Sequence, residues 1–164
     1  MKTLFLLRHA KSSWKDASLP DFERPLNKRG RQAAPLIGKF MRKQKVRPNL
    51  ILCSPAERAR QTIALVGEAA NFKAELRYDE RIYEANIARL LSVISQIDED
   101  AGRVLIVGHN PGLEELLEFL TGEVRHMPTA ALAHITLNIE RWADASEQSG
   151  ELAQLVRPKE LLQG

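Results

Sequence analysis

Three segments of the chain place a guanidinium or an imidazole side chain shortly after a run of apolar residues. Arg8 and His9 directly follow the first run, and Arg58 lies a few residues after the second. His109 directly follows a later run. If these runs are parallel strands, their carboxyl ends meet at one edge of a sheet, where open α/β sheets bind ligands. Guanidinium groups bind phosphate well, and a neutral imidazole is a nucleophile, so the four residues predict a phosphoryl site.

The second segment also predicts the start of a helix. Ser54 as the N-cap, Pro55 at the first helical position and Glu57 at the third form a strong start signal for a helix to about Ala70. A helix N-terminus attracts anions through unpaired N–H groups and its dipole. At any one of these positions, however, solvated polar residues at an ordinary strand end would show the same pattern.

Other phosphate-binding or metal-binding arrangements do not fit the sequence. The Gly-x-x-x-x-Gly-Lys-Ser/Thr loop is absent. For a cysteine phosphatase, Arg58 is one residue too close to Cys53 and Arg60 is one residue too far, which favours Cys53 as a buried strand residue. Neither a His-Glu-x-x-His motif nor clustered carboxylates indicate a metal. We therefore expect no metal and no cofactor, and a histidine as the nucleophile.

The elements that must position these residues alternate between strands and helices. The apolar patterns predict strands at 3–7, 50–53, 75–78, 103–108, 131–139 and 151–156, and helices at 28–43, 55–70, 86–97 and 113–120. Pro35 lies inside the first helix, so we expect a kink or a late start there. The order predicts an α/β fold, a three-layer αβα sandwich whose central sheet is mostly parallel with an antiparallel edge.

Length and composition bound the class of protein. The 164 residues predict a single domain over 1–164, and the net charge of +3 with 5% aromatic residues does not favour nucleic-acid binding. A single cysteine excludes an internal disulfide framework. The short apolar run at the start favours neither a signal peptide nor a membrane span. We expect a cytoplasmic protein with no membrane partner.

These motifs together resemble those of a known family. Residues 8–10 (Arg-His-Ala), followed by Ser12 and Trp14, resemble the Arg-His-Gly signature of the histidine phosphatase superfamily, although alanine replaces the usual glycine. Residues 54–62 are similar to its second arginine segment, and residues 108–111 to its second histidine segment. Residues 24–27 with Gly30 resemble the linker of the small bacterial SixA-type phosphohistidine phosphatases.

The resemblance implies a metal-independent phosphatase. His9 would attack phosphorus and carry it as a phosphohistidine intermediate, while Arg8, Arg58 and His109 would hold the phosphoryl oxygens. A histidine near its ordinary pKa of about 6.5 would lose activity below about pH 6.

Two further site residues follow from the resemblance. Glu80 lies near the position of the proton donor in the mutases of the superfamily, with Glu84 as an alternative and with Asp16 and Asp21 less favoured. Lys15 stands where the mutases usually have asparagine and would add positive charge for substrate binding.

The substrate expected from the resemblance is phosphohistidine on a protein. Only residues 80–86 link the third strand to the next helix, which leaves no room for a lid over a small substrate. The family suggests a histidine phosphotransfer protein or a phosphotransferase-system carrier as the partner. The alternatives are a phosphatase of small phosphomonoesters with the same mechanism, and a catalytically idle module that binds phosphoproteins.

Overall fold

Six strands form one mixed sheet in the computed structural model, which describes residues 1–162. The strands are β1 (Lys2–Arg8), β2 (Leu50–Cys53), β3 (Glu75–Tyr78), β4 (Arg103–Gly108), β5 (Leu132–Leu137) and β6 (Gly150–Val156), in the spatial order β3-β2-β4-β1-β5-β6. The first four strands in sequence are parallel, whereas β5 pairs antiparallel with both β1 and β6. The carboxyl ends of β1, β2 and β4 therefore lie side by side.

Helices cover both faces of the sheet. They are α1 (Lys28–Lys43), α2 (Glu57–Ala70), α3 (Ile87–Ser95), α4 (Gly112–Thr121) and the short α5 (Pro158–Leu161). Residues of α1, α2 and α5 pack on one face, and residues of α3 and α4 pack on the other. This three-layer arrangement confirms the α/β sandwich with a mostly parallel sheet and an antiparallel edge. Because the sheet combines strands from both ends of the chain, we propose that the chain forms one domain.

The central strand β1 is apolar from Leu4 to Leu7 because both of its faces are covered. Leu4 and Leu6 are buried on the side of α3 and α4, and Phe5 and Leu7 are buried on the side of α1 and α2. A strand buried on both faces shows a continuous apolar run rather than an alternating one. This core fixes the strand whose end carries the first imidazole.

Helix α1 begins at the predicted residue, Lys28, and continues through Pro35. The Asn27 side chain caps the helix by accepting a hydrogen bond from the Gly30 N–H at 2.8 Å, and the helix then runs to Lys43 with Pro35 inside it. Of the two alternatives expected for the proline, the late start was therefore wrong, and the kink stays a prediction. Ala34 and Ile37 on either side of the proline are fully buried, and this packing outweighs the backbone hydrogen bond that proline removes.

Helix α2 begins two residues later than predicted, at Glu57. The Ser54 hydroxyl does accept a hydrogen bond from a nearby backbone N–H, that of Ala56, at 3.3 Å. The same hydroxyl lies 2.7 Å from Nε2 of His109, so its geometry also serves the neighbouring strand end. The other predicted strands and helices lie within two residues of their observed bounds. Within residues 1–162, no helix is long and apolar enough to span a bilayer.

We predict that Gly38→Ala destabilises the fold by about 1–3 kcal/mol. A Cβ atom at this position would lie 2.5 Å from the Val66 carbonyl oxygen of α2, so α1 and α2 would have to move apart. Urea unfolding measures the change. Gly67→Ala is the matched control, because its Cβ would meet nothing closer than 3.8 Å. Removing a glycine from a helix interior there should stabilise by about 0.5–1 kcal/mol. Equal effects of the two substitutions would contradict the packing argument.

Candidate active site

The two imidazoles meet at the carboxyl edge of the sheet. Arg8 of β1 pairs with Gly108 of β4, so the residues that follow each strand are neighbours. The backbone N–H of His9 donates to the Gly108 carbonyl at 3.0 Å, and the ring centroids of His9 and His109 are 5.1 Å apart. Strand register therefore brings together two residues that are far apart in the sequence.

The His9 ring is buried and held in one tautomer. Its Nδ1 lies 2.7 Å from the Ala10 carbonyl oxygen, which only accepts hydrogen bonds, so we assign the proton to Nδ1 and the lone pair to Nε2. Burial, together with the nearby guanidinium groups of Arg58 and Arg8, outweighs this hydrogen bond and lowers the pKa of His9 to about 4. The ring is therefore neutral near pH 7, as a nitrogen nucleophile must be.

The His109 ring is neutral for the same reason. Burial and the neighbouring His9 lower its pKa to about 3. Its Nε2 lies 2.7 Å from the Ser54 hydroxyl, and its Nδ1 is buried without a hydrogen-bond partner. Ser54 thus fixes the orientation of the His109 ring, whereas the sequence pattern predicted Ser54 only as a helix cap.

Both arginines are held through Nη atoms and leave Nε without a partner. Arg8 donates from Nη1 to the Met127 carbonyl at 3.1 Å. Arg58 donates from Nη1 to the Asp21 carbonyl at 2.7 Å and from Nη2 to the Asp21 carboxylate at 3.0 Å. Within residues 1–162, the buried side-chain atoms without a partner are Nε of Arg8, Nε of Arg58, Nδ1 of His109 and Oδ1 of Asn110. All four atoms belong to this edge of the sheet.

Asp21, which the sequence suggested only as a less favoured proton donor, instead holds the Arg58 guanidinium. Its carboxylate accepts hydrogen bonds from Arg58, from Arg24 Nε at 3.2 Å and from the Tyr83 hydroxyl at 2.6 Å. Partial burial raises the pKa of Asp21, but the hydrogen bonds from Tyr83 and Arg58 outweigh it and hold the pKa at about 2. The spacing of Asp21 three residues before Arg24, between two prolines, is the signal that could have indicated an ordered carboxylate.

Glu80 and Lys15 are not brought into contact with these residues. Both side chains are exposed, and neither makes a hydrogen bond or an ion pair with the part of the chain that the structure describes. From the segment that carries Glu80, it is Tyr83 that reaches the site. Its ring packs edge-on against His109 at 5.6 Å, and burial together with Asp21 raises its pKa to about 12.

The segment after residue 122, for which the motifs suggested no role, supplies the acceptor for Arg8. The Met127 carbonyl accepts from both Arg8 and Asn110 Nδ2, the latter at 2.9 Å. The Met127 N–H donates to the Glu114 carboxylate of α4 at 2.7 Å. The backbone N–H of Ala130 donates to the carbonyls of Arg8 and His9. These bonds fix the segment against the end of β1.

Comparison with known proteins shows the family of this chain. A sequence profile of the histidine phosphatase superfamily (branch 1) matches residues 4–90. The chain belongs to the histidine phosphatase superfamily. It is 30% identical over 139 residues to the phosphohistidine phosphatase SixA of Escherichia coli (strain K12), covering 82% of this chain and 85% of that protein.

Solved SixA structures share the whole fold. A SixA protein histidine phosphatase in complex with tungstate superposes with a TM-score of 0.80 at 26% identity, covering 97% of this chain and 99% of that one. A SixA-type protein from Agrobacterium tumefaciens gives a TM-score of 0.82 at 32% identity, over 96% of this chain and 98% of that one. A Mycobacterium tuberculosis relative is 38% identical over 105 residues, and this alignment covers 64% of the present chain and 63% of that protein.

The low pKa of His9 changes the expected response to acid. A lowered pKa means that the proton binds only at lower pH, so we predict that His9 stays neutral until the pH approaches about 4, not about 6 as the ordinary value suggested. NMR titration of the His9 ring should give a midpoint near pH 4. The resonance is assigned by its loss in His9→Asn. A midpoint near the ordinary value of about 6.5 would contradict the inferred burial of the ring.

Proposed function

We propose that this chain is a phosphatase that hydrolyses phosphohistidine on a protein through a phosphohistidine intermediate at His9. One observation carries the proposal. The buried N–H groups and ring nitrogen left without partners in residues 1–162 belong to Arg8, Arg58 and His109, beside the neutral ring of His9. Leaving a buried polar group unpaired costs about 1–3 kcal/mol, so a bound phosphoryl oxyanion would satisfy groups that the protein alone does not.

The first step is a displacement at phosphorus. Nε2 of His9 donates its lone pair to phosphorus, the bond from phosphorus to the substrate nitrogen breaks, and that nitrogen keeps the electron pair. An imidazole that is protonated on its other nitrogen leaves as neutral imidazole, so it needs no acid from the protein. In the second step water attacks phospho-His9, releases inorganic phosphate and returns the neutral ring. Splitting one hydrolysis into two displacements is the usual benefit of a covalent nucleophile.

The guanidinium groups would stabilise the charge on the transferring phosphoryl group. Arg8 and Arg58 are fixed from behind by carbonyl and carboxylate oxygens, so no reorganisation is needed when charge develops. His109 would act beside them through Nδ1. Asp21 does not supply a proton, because a pKa of about 2 keeps it ionised. Glu80 as the proton donor and Lys15 as a substrate-binding residue stay predictions, with no contact that supports either role.

Two features support a protein as the substrate. The E. coli relative and the tungstate-bound neighbour are both SixA enzymes named for phosphohistidine or protein histidine phosphatase activity. The chain also links β3 to α3 through a single short 3₁₀ turn at Glu80–Ile82, which leaves the edge of the sheet without a covering subdomain on that side. A histidine phosphotransfer protein or a phosphotransferase-system carrier is the partner class that we propose. The proposed steps use no metal or cofactor.

The test of the proposal is the fate of labelled phosphate. We predict that rapid quench with a ³²P-labelled phosphohistidine protein traps acid-labile phosphate on the wild type and none on His9→Ala, with turnover abolished. His134→Ala is the matched control, because that histidine lies on β5 opposite Phe5 and away from the other imidazoles. Binding without any label on the wild type would indicate an idle binding module. Faster turnover of aryl or sugar phosphates would indicate a phosphomonoesterase instead.

Arg58 should contribute through the transition state. We predict that Arg58→Ala lowers kcat about a hundred- to thousandfold, since removing one preorganised donor to a developing charge typically has this effect. Arg60→Ala is the control on the same helix, because the guanidinium of Arg60 stacks on Tyr78 at 3.9 Å and bonds the Pro55 carbonyl. Steady-state kinetics on one phosphohistidine protein measures both. Comparable losses in the two variants would show that helix stability, not the Arg58 charge, sets the rate.

A further inference from the structure

The two tryptophans of the chain have opposite environments. Trp142 is fully buried, whereas Trp14 is 76% exposed. An indole contributes most to the stability of a fold when it is buried, and tryptophan is enriched at protein–protein interfaces. Trp14 adds nothing to either core cluster of the fold. Trp14 is therefore available for contact with another molecule.

The Trp14 ring is nevertheless fixed. The Arg24 guanidinium lies 3.4 Å from its ring centroid, which is a close cation–π contact. Arg24 is itself buried and donates to the Ser12 hydroxyl at 3.0 Å and to the Asp21 carboxylate. The indole thus rests on an immobilised cation and presents its remaining surface to solvent. A side chain that is already held in place loses little conformational entropy when a partner binds.

Trp14 also lies within reach of the candidate active site. Arg24, on which the indole rests, donates a hydrogen bond to the Asp21 carboxylate, and Arg58 donates to the same carboxylate. Phe22, next to Asp21, is 40% exposed and packs edge-on against Tyr83 at 5.0 Å. Trp14 and Phe22 are therefore two exposed aromatic side chains on the segment whose Asp21 holds Arg58.

We propose that Trp14 is a docking contact for the protein that carries the phosphohistidine, and this rests on the function proposed above. The contacts from the indole to Arg58 run through Arg24 and Asp21, so we expect a ligand that touches both ends to be larger than a phosphorylated side chain. Lys11 and Lys15 flank Trp14, are exposed and make no ion pair within residues 1–162. Their charge suits an acidic surface around the phosphorylated histidine, and tryptophan is enriched among residues that dominate protein–protein affinity.

Two substrates with the same leaving group test this proposal. One is the free amino acid phosphohistidine, and the other is a tryptophan-free histidine phosphotransfer domain phosphorylated with phosphoramidate. We predict that Trp14→Ala lowers kcat/KM for the phosphorylated domain about tenfold or more, mainly through KM. Turnover of free phosphohistidine should change less than twofold. Trp14→Phe should recover part of the loss, because it keeps an aromatic ring over Arg24.

The control variant is Leu76→Ala. Leu76 is an exposed apolar residue on the outer strand β3, and its removal should leave both substrates unaffected. Equal losses on the two substrates in Trp14→Ala would overturn docking, because they would mean that Trp14 acts through Arg24 and Asp21 on Arg58. No loss on either substrate would overturn it as well.

Fluorescence separates failure of docking from failure of the proposed function. Trp14 is exposed and Trp142 is buried, so binding of the phosphorylated domain should shift the emission of the wild type to shorter wavelength and protect it from acrylamide. Trp14→Ala should show neither effect. If the wild type hydrolyses neither substrate, the proposed function fails, and this titration still decides whether Trp14 docks the domain.

Discussion

The contact between Arg58 and Asp21 joins helix α2 to the irregular segment before α1. Asp21 offers its carbonyl and its carboxylate to two nitrogens of one buried guanidinium, which fixes the irregular segment 10–27 against α2. A buried cation is tolerated only when it is paired and hydrogen-bonded, so without Asp21 this arginine would carry an uncompensated charge. The same carboxylate holds Arg24 and Tyr83. One ion pair thus sets the position of the Arg58 guanidinium and of the residues around it.

Burial of the two imidazoles beside cations determines their chemical state. Water would favour partly protonated rings near pH 6, but in this site desolvation and nearby guanidinium groups hold the pKa of His9 near 4 and that of His109 near 3. The positive charge of the site is therefore confined to the arginines, whose charge does not depend on pH in this range. The His9 ring is therefore neutral near pH 7, while the site as a whole stays cationic.

Residues at strand ends were predictable from the sequence, and residues on irregular backbone were not. Because the carboxyl ends of parallel strands share one edge of a sheet, the sequence alone predicted that Arg8, His9 and His109 lie together. The apolar runs and their order, on which this prediction depends, are visible in one sequence. Asp21 was considered only as a less favoured proton donor, and its contact with Arg58 was not predictable because it depends on how an irregular segment folds back over α2. Glu80 was preferred by position in the family, yet the segment that carries it turns Tyr83 toward the site.

The groups that hold the two arginines include backbone carbonyls, which no side-chain motif reveals. Arg8 is held by the Met127 carbonyl and Arg58 by the Asp21 carbonyl, and every residue type possesses such an oxygen. The choice of acceptor is made by the path of the chain, which the turn at Ala130 and the pairing of β5 with β1 impose on the segment before it. The candidate site residues are therefore identifiable from motifs, whereas their orientation depends on parts of the chain where no motif is present.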